Sequence, residues 1–215
     1  MSYKEIIYSN ALKIVDRIYW ESKYNEDVDF FRIPDVINSV NDNQIASKEW
    51  LINNLIPILN NWDKKITNVH VVGAWYGLTS LLLRHHLKNK NIDIWNIDLD
   101  PMCEIVGRQL VGSDEHTHWI IASAIDAFIE DQDRPDIIVN TSCEHIEQQD
   151  LNLICKLKKK HALICFQSNN YEDIDSHINC HNSLGDFVDS LKLEKVLFQS
   201  ELARENYARY MVVGY

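Results

Sequence analysis

The 215-residue sequence contains no apolar stretch of the roughly 18 residues that a membrane-spanning helix needs, and its first residues lack the apolar run of a secretory signal peptide. It also has no internal repeat and no low-complexity linker. We therefore expect a cytoplasmic protein with no membrane partner. Its length suits one α/β domain with an N-terminal extension.

Basic residues are scarce: 21 Lys and Arg stand against 32 Asp and Glu, and the formal net charge is -11. The main basic cluster, residues 156–160, is typical of the solvated end of a helix. Because a surface that binds phosphate groups needs clustered Lys and Arg, this balance argues against a nucleic-acid partner. It favours a small molecule or a protein instead, and it indicates no oligomeric state.

The cysteines do not form the evenly numbered, regularly spaced set of a disulfide framework. There are five of them: Cys103, Cys143, Cys155, Cys165 and Cys180. An odd number at irregular spacing predicts reduced thiols, as in a cytoplasmic protein.

Residues 1–62 are predicted to form a helical N-terminal cover. Apolar residues recur at helical spacing over 3–20, and Ser47 is a plausible cap for a helix over 48–61. Residues 27–44 are mixed and contain a break at Pro34. The cover is rich in aromatic residues: Trp20, Tyr24, Phe30, Phe31, Trp50 and Trp62. These side chains favour docking of the cover on the rest of the protein, with a lid over the substrate as the alternative.

Residues 63–215 alternate between strand-like and helical segments. The predicted strands are 68–73, 92–98, 117–122, 136–140, 161–167, 193–199 and 207–214, and the predicted helices are 77–88, 101–111, 123–130, 147–157 and 181–191. This alternation predicts a three-layer α/β/α sandwich around a mostly parallel seven-stranded sheet. The last two strands are joined by a short polar loop with no room for a crossover helix, so we expect the last strand to be antiparallel.

The first β-α-β unit carries the features of a nucleoside site. Gly73 and Gly77 would let a ligand approach the backbone at the start of a helix, which favours an anionic group. Asp98 ends the next strand and could accept hydrogen bonds from both hydroxyls of a ribose. Asp100 precedes Pro101 and fits a helix cap, which leaves Asp98 for the ligand.

Polar residues follow the fourth and fifth strands, at the edge where open α/β sheets bind ligands. Glu144 and His145 are candidate catalytic residues, as a general base or to orient a nucleophile. The candidate substrate contacts are Ser142, Gln167, Asn169, Asn170 and Tyr171. The alternatives are helix capping by Ser142 and a plain turn after the fifth strand.

Residues 177–181 contain three potential metal ligands, His177, Cys180 and His181, but no second ligand pair follows at zinc-finger spacing. Cys143 and His145 would supply such a pair only if the two loops meet. A polar loop facing the substrate is favoured over a structural metal, and no metal is predicted.

Four segments of residues 66–215 resemble the motifs of class I S-adenosylmethionine-dependent methyltransferases. Residues 69–77 are similar to the first motif, a strand and a glycine-rich loop, and residues 96–101 to the second, whose acid binds the ribose. Residues 124–128 resemble the third motif, and residues 136–146 the fourth strand with its tip. The resemblance implies a Rossmann-like fold and S-adenosylmethionine as cofactor.

The resemblance also implies roles for individual residues. Those implied to bind the cofactor are Gly73, Ala74, Trp75 and Gly77 at its methionine end, Asp98 at the ribose, Asp126 near the adenine, and Asn140 at the tip of the fourth strand. The Asp126 carboxylate could instead be only a partner of its helix dipole.

Two positions depart from the first motif: Val71 stands where the family has an acid, and Trp75 where it has the middle glycine. The implied function is a methyltransferase acting on a small molecule, with the acceptor unidentified. The loop also resembles nicotianamine-synthase-like enzymes. The alternatives are therefore transfer of the aminocarboxypropyl group, cyclisation or lysis of the same cofactor, or a binding domain without catalysis.

Overall fold

A computed structural model describes residues 3–24, 32–87, 91–112, 114–130 and 134–215. Three helices come first: α1 Tyr3–Ser22, α2 Arg32–Ser39 and α3 Asp42–Asn60. The remaining elements are β1 Asn68–Val72, α4 Leu78–His86, β2 Asp93–Asp98, α5 Pro101–Leu110, β3 Thr117–Ile121, α6 Ala124–Glu130, β4 Ile137–Asn140, a single 3-10 turn Cys143–His145, α7 Gln148–Leu157, β5 Leu163–Asn169, α8 Leu184–Leu191, β6 Val196–Ala203 and β7 Ala208–Gly214. Among the described helices, none has both the length and the apolar content needed to cross a bilayer.

The seven strands form one sheet in the order β3-β2-β1-β4-β5-β7-β6. Strands β1 to β5 pair in parallel, and β7 lies antiparallel between β5 and β6. The predicted sheet with an antiparallel last strand is therefore confirmed. The chain moves outward from β1 to β3 and then returns to β4, so the carboxyl ends of β1 and β4 flank a topological switch point, where open sheets bind ligands.

Strands β1, β4 and β5 at the centre of the sheet are buried on both faces, and successive residues of each strand point to opposite sides. In β4, Ile137 and Val139 join a core formed with α3 and α4, whereas Ile138 joins a second core formed with α6, α7 and α8. This alternation produces the predicted three layers. A third apolar cluster packs α1 and α2 against α5.

Helix α3 begins earlier than predicted. Asn41 has an extended backbone and its side chain accepts the N–H of Gln44, which makes Asn41 the N-cap in place of Ser47. Ser47 lies inside the helix, where burial directs its hydroxyl to the Gln167 side-chain oxygen at 3.3 Å. The cap prediction was wrong because Asn41 forms the same type of cap one and a half turns earlier.

The N-terminal helices dock on the sheet through part of their aromatic set. Trp50 and Trp62 pack against the core of α3, α4 and the sheet. Trp20 and Tyr24 are 49% and 85% exposed, so they do not take part in this docking. Phe30 and Phe31 lie outside the described residues. The unpredicted helix α2 carries its proline in its first turn, where the missing N–H removes no helical hydrogen bond.

Candidate functional site

The loop between β1 and α4 has an unusual backbone. Gly73, Trp75 and Gly77 have φ angles of +61°, +49° and +78°. Glycine adopts this left-handed region freely, but for Trp75 it is unfavourable by roughly 1 kcal/mol. A Cβ on Gly73 would lie 2.6 Å from the hydroxyl oxygen of Ser142. The loop is therefore a tight turn that closely approaches the segment after β4.

The carboxylate of Asp98 is held in place by this loop. One of its oxygens accepts the backbone N–H of Trp75 at 2.8 Å, and the other accepts that of Asp100 at 3.2 Å. Asp100 itself caps α5 by accepting the N–H of Met102 at 2.9 Å, and it pairs with Arg32. The prediction that Asp100 caps the helix is therefore confirmed. Asp98 keeps further lone pairs that face a cavity.

A cavity of about 730 Å³ lies at the carboxyl edge of the sheet. Nine of the predicted site residues line it: Gly73, Ala74, Trp75, Asp98, Ser142, Glu144, His145, Asn169 and Tyr171. Five others are described but are not part of its lining: Gly77, Asp126, Asn140, Gln167 and Asn170. Residues of α3 line the cavity too, so the N-terminal cover helps to form the site as well as docking on the sheet.

The side chain of Asp126 hydrogen-bonds at the start of its own helix, α6. Its carboxylate accepts the hydroxyl of Ser123 at 2.7 Å, while its backbone N–H donates to the same hydroxyl at 3.0 Å. This reciprocal arrangement is a helix cap. The end of β3 contributes Ala122, Ser123 and Ala124 to the cavity instead. These small side chains form a surface on which a flat ring could rest.

Asn140 and Asn170 shape the turns at the sheet edge. The side-chain oxygen of Asn140 accepts the N–H of Ser142 at 2.7 Å, and that of Asn170 accepts the N–H of Ala208 at 2.8 Å. Asn140 is completely buried, and its amide nitrogen has no hydrogen-bond partner among the described residues. Both side chains act on the backbone beside the cavity.

Charged side chains are buried on the β4, β5 and β7 side of the cavity. Lys48 is 7% exposed, Glu144 3% and Arg209 7%. One carboxylate oxygen of Glu144 accepts the amide of Asn169 at 2.7 Å and lies 3.6 Å from an Arg209 nitrogen. Arg209 also donates to the side-chain oxygen of Gln167 at 3.2 Å. Gln167 was predicted to contact substrate, but here it positions Arg209 from within the core.

The pKa of Lys48 is lowered to about 7, mainly by burial and also by the positive charge of Arg209, against the opposing effect of Glu144. The Lys48 amine can therefore exchange a proton near neutral pH. Sequence reasoning missed both Lys48 and Arg209. A charged residue inside the apolar run of β7 is a signal that could have identified Arg209, whereas nothing in the sequence marks Lys48 as buried.

The loops after β4 and β5 meet at the cavity. The backbone N–H groups of Ile178 and Asn179 both donate to the carbonyl of Glu144, at 2.9 and 3.0 Å. The rings of His145 and His177 lie edge to face, with their centroids 4.6 Å apart. The contact between loops that the sequence left open therefore exists, and it pairs His145 with His177.

The sequence matches no protein-family model and no curated protein sequence. Solved structures, however, share its fold. N-methyltransferase NodS from Bradyrhizobium japonicum WM9, in complex with S-adenosyl-L-homocysteine, is 12% identical and superposes with a TM-score of 0.60 over 95% of this chain and 98% of its own. A glutamate-to-glutamine variant of MtNAS in complex with S-adenosylmethionine is 12% identical, with a TM-score of 0.56 over 98% of this chain and 72% of its own.

A third solved structure, the SAM-dependent methyltransferase from Agrobacterium tumefaciens, is 14% identical, with a TM-score of 0.55 over 80% of this chain and 61% of its own. The three superpositions cover at least 80% of this chain, so they include most of its sheet and helices. The chain described here therefore has the fold of the class I S-adenosylmethionine-dependent methyltransferases.

Proposed function

We propose that this protein binds S-adenosylmethionine and transfers its methyl group to a small-molecule acceptor. The observation that carries the proposal is the hydrogen bond between the Trp75 backbone and Asp98. It joins the glycine-rich loop to the acidic strand end at one wall of the cavity. A volume of about 730 Å³ suits a cofactor and a small acceptor together, because ligand pockets typically span about 300–1,000 Å³.

The strand order supports an assignment of the two ends of the cavity. In this assignment, residues 73–75 after β1 would hold the methionine part, Asp98 at the end of β2 the ribose hydroxyls and residues 122–124 after β3 the adenine. The neighbouring NodS and MtNAS structures hold S-adenosyl-L-homocysteine and S-adenosylmethionine, which supports this choice of ligand. The acceptor would then lie on the β4, β5 and β7 side.

When bound, S-adenosylmethionine supplies a methyl group already activated by its sulfonium. The protein mainly has to orient the acceptor and exclude water. Lys48, Glu144 and His145 line the acceptor side and can take a proton from an acceptor that must lose one. Lys48 suits this role because burial brings its pKa to about 7.

A second candidate function is attack at a different carbon of the sulfonium, with transfer of the aminocarboxypropyl group. The observation that favours it is Trp75, a bulky residue in the left-handed conformation at the methionine end of the site. The resemblance of this loop to nicotianamine-synthase-like enzymes points in the same direction.

Titration calorimetry with S-adenosylmethionine and with S-adenosyl-L-homocysteine tests the proposal. We expect saturable binding of both, and no saturable binding of either would contradict the function. Product analysis with a panel of small acceptors then separates the candidates: S-adenosyl-L-homocysteine indicates methyl transfer, and methylthioadenosine indicates the alternative. Binding without turnover of any acceptor would favour a non-catalytic role.

A further inference from the structure

Three side chains of the types that bind transition metals converge on one wall of the cavity. Glu144 and His145 lie in the 3-10 turn after β4, and His177 lies in the loop after β5. One carboxylate oxygen and one nitrogen from each imidazole lie within 4.8 Å of one another. All three residues line the cavity.

Hydrogen bonds orient both imidazoles for metal binding. The Nδ1 of His145 lies 3.0 Å from the carbonyl oxygen of Ser176, and that of His177 contacts the carbonyl of Tyr171. A carbonyl only accepts, so in each neutral imidazole the Nδ1 carries the proton and the Nε2 has the lone pair that a metal would need. Metal-binding histidines use the same arrangement, in which a backbone carbonyl holds the other ring nitrogen.

The Glu144 carboxylate supplies an unused oxygen. Its Oε1 is taken by Asn169 and Arg209, but its Oε2 is buried and has no hydrogen-bond partner among the described residues. The side chain of Glu144 is only 4% exposed. A buried carboxylate oxygen without a partner is costly, and a bound cation would remove that cost.

We propose that Glu144, His145 and His177 bind a divalent transition metal of the Zn²⁺ class. Two imidazoles and one carboxylate are the ligand set of open zinc and iron(II) sites, whereas Mg²⁺ and Ca²⁺ prefer oxygen ligands alone. Ligands of a tetrahedral zinc ion lie about 3.4 Å apart. Reaching that spacing requires a shift on the order of 1 Å, which the exposed His145 side chain can supply.

Because all three ligands line the cavity, coordination positions that the protein leaves open would be accessible to the hydroxyl oxygen of an acceptor. Coordination would lower the pKa of that hydroxyl, so its proton would be released to solvent. The reaction would then need no side chain of the protein as general base. This assignment of an oxygen acceptor rests on the proposed function. The metal site itself does not, because its ligands lie on the β4 and β5 side, away from Asp98.

The test is a calorimetric titration of the full chain, first stripped with a chelator, with Zn²⁺ and separately with Mg²⁺, in the absence of S-adenosylmethionine. We expect one Zn²⁺ per chain and no comparable Mg²⁺ binding. H177Q and H145Q should each weaken Zn²⁺ binding by about tenfold or more, since each removes one ligand. Bound Co²⁺ should show visible absorption bands of a site with nitrogen and oxygen ligands.

H161Q is the matched control, because His161 is exposed and lies outside the cavity. The proposal is overturned if Zn²⁺ shows no saturable binding, if Mg²⁺ binds equally well, or if H177Q and H145Q bind Zn²⁺ like H161Q. A D98A variant distinguishes failure of the metal site from failure of the proposed function, since it should weaken S-adenosylmethionine binding and leave Zn²⁺ binding unchanged.

Discussion

The carboxylate of Asp98 accepts the backbone N–H of Trp75 across 2.8 Å. This hydrogen bond connects the loop after β1 to the tip of β2, the two segments that would hold the methionine and ribose parts of the cofactor. The second carboxylate oxygen accepts the N–H of Asp100, which fixes the side chain in one orientation. The two hydrogen bonds thus hold the Asp98 carboxylate in the fixed position that the proposed role of binding ribose hydroxyls requires.

Replacing Asp98 with alanine should weaken S-adenosylmethionine binding by about 10- to 100-fold, because hydrogen bonds to a charged group contribute roughly 1.5–3 kcal/mol. Calorimetry measures the change. D126A is the matched control: the Asp126 side chain bonds to Ser123 and does not line the cavity. A loss of binding in D126A with D98A unaffected would return the nucleotide role to Asp126.

Lys48 should make the free energy of unfolding depend on pH between about 7 and 10.5. The lower limit is the pKa of Lys48 in the folded protein, and the upper limit is its ordinary pKa. In that window the unfolded chain binds a proton that the folded chain does not. Stability therefore rises with pH, by at most about 1.4 kcal/mol per pH unit. Urea unfolding of wild type and K48M at several pH values measures it. The free energy of unfolding of the wild type should rise with pH relative to that of K48M. Parallel curves for the two proteins would contradict the lowered pKa of Lys48.

The ion pair between Glu144 and Arg209 should show strong coupling. R209M leaves a buried carboxylate without its cation and should destabilise the fold by about 3–5 kcal/mol. The double variant E144Q/R209M removes both charges and should recover much of that loss. Denaturant unfolding of the two single variants and the double variant gives the coupling free energy. Additive effects would show that the two charges act independently.

Two helical glycines should respond in opposite directions to alanine. A Cβ on Gly107 would lie 2.1 Å from the Trp119 ring, so G107A should destabilise the protein by about 1–3 kcal/mol. A Cβ on Gly185 meets nothing closer than 3.7 Å, and G185A should stabilise by about 0.5 kcal/mol. Thermal unfolding compares the two variants. Equal stability for both would mean that Trp119 does not pack against α5.

The sheet could be predicted because its pattern is local. Strands buried on both faces are continuous apolar runs, and the short loop before β7 leaves no length for a crossover. Asp100 could be identified as a cap for the same reason, since its partner is only two residues away. The predicted start of α3 was wrong because Asn and Ser are equally good N-cap residues, so residue type could not distinguish Asn41 from Ser47.

The order of residues along the chain was sufficient for the three-layer fold, the glycine loop and the acid at the end of β2, since each depends on neighbours in sequence. Tertiary structure alone decided which polar residues face the cavity. It left Gln167 and Asp126 outside the cavity lining, buried Lys48 beside the cavity and brought His177 against His145. The physical reason is that burial and charge pairing depend on contacts between elements far apart in the chain, such as α3 with β5 and β4 with the loop after β5.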